Sequence, residues 1–82
     1  MEKDKIETLV RKIFLETFQD LEEKDFDFKK KQDQFENWDS LAHIELISKM
    51  ESNFNIDLNL SEAVGLDSPK DFVNFIKKRL EK

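Results

Sequence analysis

Apolar residues recur at intervals of three and four in three separate blocks of the chain, and this periodicity limits the fold more than any other feature. Each block places its apolar side chains on one stripe of an α-helix. The spacing predicts helices from residue 4 to about 18 or 20, from 40 to 54, and from 69 to about 80. The 82 residues are therefore expected to form one all-α domain over residues 1–82.

Two connectors separate the predicted helices. Between Asp20 and Asp39, aromatic residues alternate irregularly with charges, so we expect a long first loop that either packs its aromatics across the helices or contains a short turn. Residues 56–60 alternate like a strand but have no partner strand, and are expected to be extended. Residues 61–64 allow one helical turn before Gly65. The predicted architecture is a small four-helix bundle with three main helices, one short helix and a long first loop.

The start of each main helix carries a predicted cap. Asp4, followed by Glu7, is the expected cap of the first helix. Ser68 precedes Pro69, a residue well suited to the first helical position, and is the expected cap of the last helix.

Composition excludes several classes of function. The chain has no cysteine, which rules out disulfides and thiolate metal sites and is typical of a cytoplasmic protein. Its 14 basic and 19 acidic residues give a net charge of -5, which disfavours nucleic acid and favours basic partners. The longest apolar run, Ile13 to Leu15, is far shorter than the roughly 20 residues that a membrane span needs. We expect a monomer with no membrane span.

The most specific motif is Asp39-Ser40-Leu41, at the junction of the long loop and the second helix, continued by Ile44-Glu45-Leu46-Ile47. Either Asp39 or Ser40 suits the helix cap, because a short side-chain oxygen can accept the amide protons of the first turn. Taken alone, the motif is most simply interpreted as a cap, as the similar pair Asp67-Ser68 is.

In this motif and in the order of its helices, the chain resembles the acyl carrier protein family over about residues 4 to 80. In that family Asp-Ser-Leu opens the second helix, and the serine is esterified by 4′-phosphopantetheine. The resemblance implies a stand-alone, non-catalytic carrier whose Ser40 receives this group from coenzyme A through a phosphopantetheinyl transferase. It would then carry acyl groups as thioesters between acyl-loading and acyl-transfer enzymes in fatty-acid, polyketide or specialised biosynthesis. A phosphodiester at Ser40 would lie beside free amides at a positive helix end.

The resemblance also implies two surfaces. The exposed face of the second helix would dock on basic patches of partner enzymes, through Asp39, Leu41, Glu45, Leu46 and Glu51. The interior would surround any part of the acyl chain that enters it, and consists of Ile44, Ile47, Phe54, Ile56, Leu60, Phe72 and Ile76. The bulk of the phenylalanines favours short or polar cargo. Trp38, directly before the motif, is expected to pack on the bundle.

A second hypothesis belongs to another class: a carrier-shaped helical interaction module without a prosthetic group, in which Ser40 is only a cap. No catalytic residue is predicted, because His43, the single histidine, has no evident partner. No metal site is predicted either. Asp25, Asp27 and Glu36 have calcium-loop spacing, but Lys30 stands where that loop requires glycine.

Overall fold

The computed structural model describes residues 3–81, except for the side chains of Lys3 and Leu60. Within this range the chain forms four α-helices and no strand, which confirms the predicted small helical bundle. The helices are α1 (Lys3–Thr17), α2 (Ser40–Phe54), α3 (Leu60–Val64) and α4 (Pro69–Leu80). Helix α1 packs against both α2 and α4.

The buried face of α1 is the predicted apolar stripe. Ile6, Val10, Ile13 and Phe14 are all buried in the common core. The prediction of Asp4 as the cap is wrong, because the helix already includes Lys3 and Asp4 lies in its first turn. Its carboxylate is still favourable there, at the positive end of the helix dipole.

The long loop contains two 3₁₀ turns, Glu23–Asp25 and Gln32–Gln34, and its aromatic residues pack on the helices. The Gln32 amide donates to the Asp67 carbonyl at 2.7 Å, and the Lys70 amide donates to the Phe28 carbonyl at 2.8 Å. The loop is therefore fixed against the start of α4, in agreement with both expectations for this segment.

The two shorter connections end in side-chain caps. Residues 56–59 form neither helix nor strand, but the predicted connector is one residue too long because Leu60 already begins α3. Asn59 has an extended backbone and forms a capping box with Glu62 at the start of α3. Ser68 is the cap of α4: its hydroxyl accepts the Asp71 amide at 3.2 Å, and Pro69 occupies the first helical position. Both predictions for the start of α4 are confirmed.

Across residues 3–81, every helix is too short or too polar to cross a membrane.

Candidate functional site

Asp39, and not Ser40, is the cap of α2. Its Oδ1 atom accepts the Ala42 amide at 2.9 Å, and its carbonyl accepts the His43 amide at 2.9 Å in the first intrahelical bond. Ser40 is thus the first helical residue. Of the two caps that the motif allows, the structure selects the aspartate, and the serine side chain has no capping role.

The Ser40 side chain is exposed, and its hydroxyl forms no hydrogen bond with any residue in the described part of the chain. The amides of Ser40 and Leu41 lie in the first turn, where backbone N–H groups have no intrahelical acceptor. They contribute to the positive end of the α2 dipole. Ser68 is the opposite case, because it is only 3% exposed and its hydroxyl is used as a cap. An anionic group attached to Ser40 would therefore be both accessible and electrostatically favoured.

Trp38, the residue directly before the Asp39-Ser40-Leu41 motif, is packed into the core. Its side chain is 5% exposed and packs edge-on against Phe14, with 5.3 Å between ring centroids, and against Phe35 at 5.2 Å. Its carbonyl accepts a hydrogen bond from the Gln32 side chain at 3.2 Å. The expectation that Trp38 packs on the bundle is confirmed, and the backbone two residues before Ser40 is thereby fixed.

His43 is a structural partner that sequence reasoning missed. The Trp38 indole N–H donates to His43 Nδ1 at 3.0 Å, and His43 Nε2 lies 2.8 Å from the Ala63 carbonyl. The two rings also stack, with centroids 5.8 Å apart. The only signal in the sequence is that the single histidine follows the single tryptophan by five residues, and that spacing does not by itself predict a pair.

The predicted docking residues separate into two groups. Asp39, Leu41 and Glu45 are exposed, but the prediction for Leu46 is wrong because this side chain is fully buried. Glu51 is half-buried, and its carboxylate accepts the Leu58 amide at 2.9 Å. Its structural role is therefore to hold the extended connector after α2.

The predicted interior residues also separate. Phe54, Phe72 and Ile76 are buried, and Ile47 and Ile56 are half-buried. The prediction for Ile44 is wrong, because 63% of it is exposed. The side chain of Leu60 lies outside the described residues. The interior beside Phe72 is filled by aromatic rings, with Phe14 at 5.7 Å and His43 at 6.1 Å between centroids.

Three large apolar side chains are exposed in the described part of the chain, two in the first turns of α2 and one on α3. Leu41 is 68% exposed, Ile44 63% and Val64 of α3 74%. The hydrogen bond between His43 and Ala63 holds α3 beside α2, so Val64 follows directly after a residue that contacts the first turns of α2. These three residues are called the apolar triad below. Next to it, a cleft of about 250 Å³ is lined by residues 17–20 and 37 and by Asp39, Leu41, Ala42 and Glu45.

A charged contact fixes α3 to α4. The Glu62 carboxylate pairs with the Arg79 guanidinium, which also donates to the Asp57 carbonyl at 2.7 Å. The pKa of Glu62 lies below its ordinary value of 4.5, first because the Asn59 amide donates to the carboxylate and second because Arg79 does. Val64 is therefore presented by a helix that is anchored on two sides, by His43 and by Arg79.

No protein-family model matches the chain, and no curated protein matches its sequence significantly. The resemblance to acyl carrier proteins stays a prediction from the sequence motif and from the order of the predicted helices.

Proposed function

We propose that the chain is a stand-alone carrier of the acyl carrier protein type, modified at Ser40 with 4′-phosphopantetheine from coenzyme A. The observation that carries the proposal is the division of roles at the start of α2. Asp39 caps the helix, so the Ser40 hydroxyl is exposed and has no structural task among the described residues. A serine retained only as a cap would have its hydroxyl on a first-turn amide, as Ser68 does.

The residues around Ser40 fit the proposed group. The free first-turn amides of Ser40 and Leu41 favour a phosphodiester at this helix end. When attached, the group supplies a thiol that holds acyl cargo as a thioester. The chain itself provides the attachment point, the positive helix end and the surface that partner enzymes recognise, so we propose no catalytic activity for it.

The apolar triad and the acids beside it are the proposed docking surface. Leu41, Ile44 and Val64 offer apolar contact, while Asp39 and Glu45 face solvent with negative charge. A phosphopantetheinyl transferase and the acyl-loading and acyl-transfer enzymes would present basic groups around an apolar pocket. Charge complementarity would speed their encounter, and burial of the triad would hold the complex.

The proposed cargo is short or polar. Phe72 is in contact with Phe14, Trp38 and His43, and these rings occupy the space between the helices. A long acyl chain would have to displace close-packed aromatic side chains, which is costly in a well-packed core. A long-chain acyl form that melts at a clearly higher temperature than the unloaded protein would contradict this part of the proposal.

A second candidate is an interaction module that binds a partner through the apolar triad and carries no prosthetic group. It is favoured by the same exposed Leu41, Ile44 and Val64, which an isolated bundle would not need. This module would keep its partner when Ser40 is replaced by alanine, whereas the carrier would lose all cargo transfer.

The deciding experiment is intact-mass measurement before and after incubation with coenzyme A and a broad-specificity phosphopantetheinyl transferase. We expect the wild-type protein to gain the mass of one phosphopantetheine and Ser40→Ala to gain none. Ser48→Ala is the matched control, because Ser48 is an exposed serine in the middle of the same helix, and it should be modified like the wild type. A folded wild-type protein, confirmed to be unmodified at the start, that gains no mass would overturn the carrier proposal.

A further inference from the structure

His43 contacts the loop before Ser40, the short helix α3 and helix α4. It lies in the first turns of α2, its Nδ1 faces the Trp38 indole of the loop, and its Nε2 faces the Ala63 carbonyl of α3. Its ring is also packed against Phe72 of α4, with 6.1 Å between centroids. One side chain therefore joins the loop before Ser40, the helix that begins at Ser40 and the short helix that carries Val64.

The two hydrogen bonds of His43 require a single tautomer. A tryptophan indole nitrogen can only donate, so His43 Nδ1 must accept and carries no proton. The neutral ring then holds its proton on Nε2, which donates to the Ala63 carbonyl at 2.8 Å. Both ring nitrogens are satisfied, and the buried indole N–H of Trp38 has its acceptor.

The bond to Trp38 acts on the backbone next to Ser40. Trp38 is held at its indole by His43 and at its carbonyl by the Gln32 side chain, at 3.2 Å. Only Asp39, the cap, separates this fixed residue from Ser40. Loss of the indole acceptor would leave a buried donor unpaired, a situation that favours rearrangement of the segment.

We propose that His43 is a positioning residue for the modification of Ser40, and that it acts through its hydrogen bond to Trp38. The bond keeps residues 38 to 40 in the arrangement in which the transferase meets the hydroxyl. The separate bond from Nε2 to the Ala63 carbonyl keeps α3 beside α2. The inference rests on the proposed function, since it concerns the rate at which Ser40 is modified.

The test compares three variants in steady-state modification by the same transferase. His43→Phe keeps a ring of similar size but removes both hydrogen bonds. His43→Asn retains an acceptor near the position of Nδ1, and His43→Gln retains a donor near the position of Nε2. Ile6→Val is the stability control, because Ile6 is fully buried in α1 and lies two helical turns before Phe14, the α1 residue that packs on Trp38.

We expect His43→Phe to lower kcat/KM about tenfold, mainly in kcat. The hydroxyl is displaced, whereas Leu41 and Ile44 remain on α2 and α3 keeps its contact with Arg79. His43→Asn should recover most of the loss, His43→Gln should not, and Ile6→Val should remain near the wild type despite its lower stability. Trp38 is the only tryptophan, so each variant shows a single indole N–H resonance in its proton NMR spectrum. The position of this resonance shows whether the variant is folded and whether the indole N–H is still hydrogen-bonded.

The outcomes that overturn the inference are distinct. If His43→Phe is modified as fast as Ile6→Val, the residue acts only on stability. If His43→Asn is no faster than His43→Gln, the bond to Trp38 is not what positions Ser40, and this comparison decides the matter even if His43→Phe fails to fold. A wild-type protein that is not modified at all overturns the proposed function and this inference with it.

Discussion

At the scale of single residues, two neighbours at the start of α2 have different roles: one stabilises the helix as its cap, and the other has an accessible hydroxyl. Asp39 accepts the Ala42 amide, whereas the Ser40 hydroxyl contacts solvent. We expect Asp39→Ala to lower the free energy of unfolding by about 1 kcal/mol through loss of the cap. Ser40→Ala should change it by less than about 0.5 kcal/mol, as is usual for exposed positions. Urea unfolding followed by circular dichroism measures both values.

The cap of α4 provides the internal comparison for this prediction. Ser68→Ala removes a serine that does act as a cap, so its loss should resemble that of Asp39→Ala. If Ser40→Ala instead destabilises the protein as much as Ser68→Ala, the Ser40 hydroxyl has a structural role. The hydroxyl would then not be free for modification.

The residue scale also shows where sequence reasoning stops. The motif predicted that Asp39 or Ser40 begins the helix, but both are good caps, and only the position of the helical backbone distinguishes them. The pair formed by Trp38 and His43 was not predicted, because it depends on how the long loop crosses the bundle. Such a path is set by tertiary contacts rather than by local propensity.

At the scale of secondary-structure elements, the bounds of α2 were predictable but its orientation about its own axis was not. Periodicity placed Leu41, Ile44, Ile47, Met50 and Phe54 on one stripe and left Leu46 off it. The structure instead buries a second stripe, Leu46, Met50 and Phe54, and leaves Leu41 and Ile44 exposed. His43 lies one turn before Leu46, so its contacts with Trp38 and Ala63 orient the second stripe towards the core.

This orientation predicts opposite outcomes for two similar substitutions. Leu46→Ala empties a fully buried position and should lower the free energy of unfolding by about 2–5 kcal/mol. Ile44→Ala changes a side chain that is 63% exposed, and its effect should stay within about 0.5 kcal/mol. Thermal or urea unfolding measures the difference. Equal losses, or a larger loss for Ile44→Ala, would show that α2 buries the other stripe.

Glu62, which accepts the Asn59 amide and pairs with Arg79, predicts a dependence of stability on pH. Because the pKa of Glu62 is lowered in the folded protein, its charged form stabilises the fold above the ordinary pKa of 4.5, and this stabilisation is lost as the pH falls through the lowered value. Glu62→Gln keeps an oxygen for the Asn59 amide and removes only the charge. The melting temperature of the wild type should therefore exceed that of the variant at neutral pH, and the difference should vanish in acid.

A control for this experiment comes from Arg79, which also donates to the Asp57 carbonyl. That bond involves no titrating acceptor and persists in Glu62→Gln, so α4 keeps one of its ties to the connector before α3. A difference in melting temperature that stays constant over the whole pH range would mean that the Glu62 charge does not stabilise the fold.

At the scale of the whole molecule, composition and periodicity were sufficient to predict the helical bundle. They did not predict which apolar residues of α2 stay exposed, because that depends on how the long loop between α1 and α2 packs its aromatic side chains. Phe35 and Trp38 are buried beside Phe14 and Phe18, so the loop completes the core that the helices leave open. A consequence is that apolar residues of α2 are surplus to the core. Leu41 and Ile44, with Val64, remain on the surface as the apolar triad.

The net charge and the apolar triad together predict how the rate of modification by the proposed transferase changes with salt concentration. The chain carries a net charge of -5, so its association with a basic transferase should slow as ionic strength rises from about 0.05 to 0.5 M and the screening length shortens. Burial of apolar area is far less sensitive to salt over this range. The two contributions can therefore be separated by substitution.

Asp39→Asn and Glu45→Gln each remove one exposed charge, and asparagine still suits the cap. Each should flatten the decline of kcat/KM with salt. Ile44→Ala should raise KM about three- to tenfold at every salt concentration and leave the slope unchanged, because it removes apolar contact from the proposed docking surface. Steady-state modification of Ser40 at several salt concentrations measures both effects. A salt slope altered by Ile44→Ala but not by the two charge variants would place the docking surface elsewhere on the molecule.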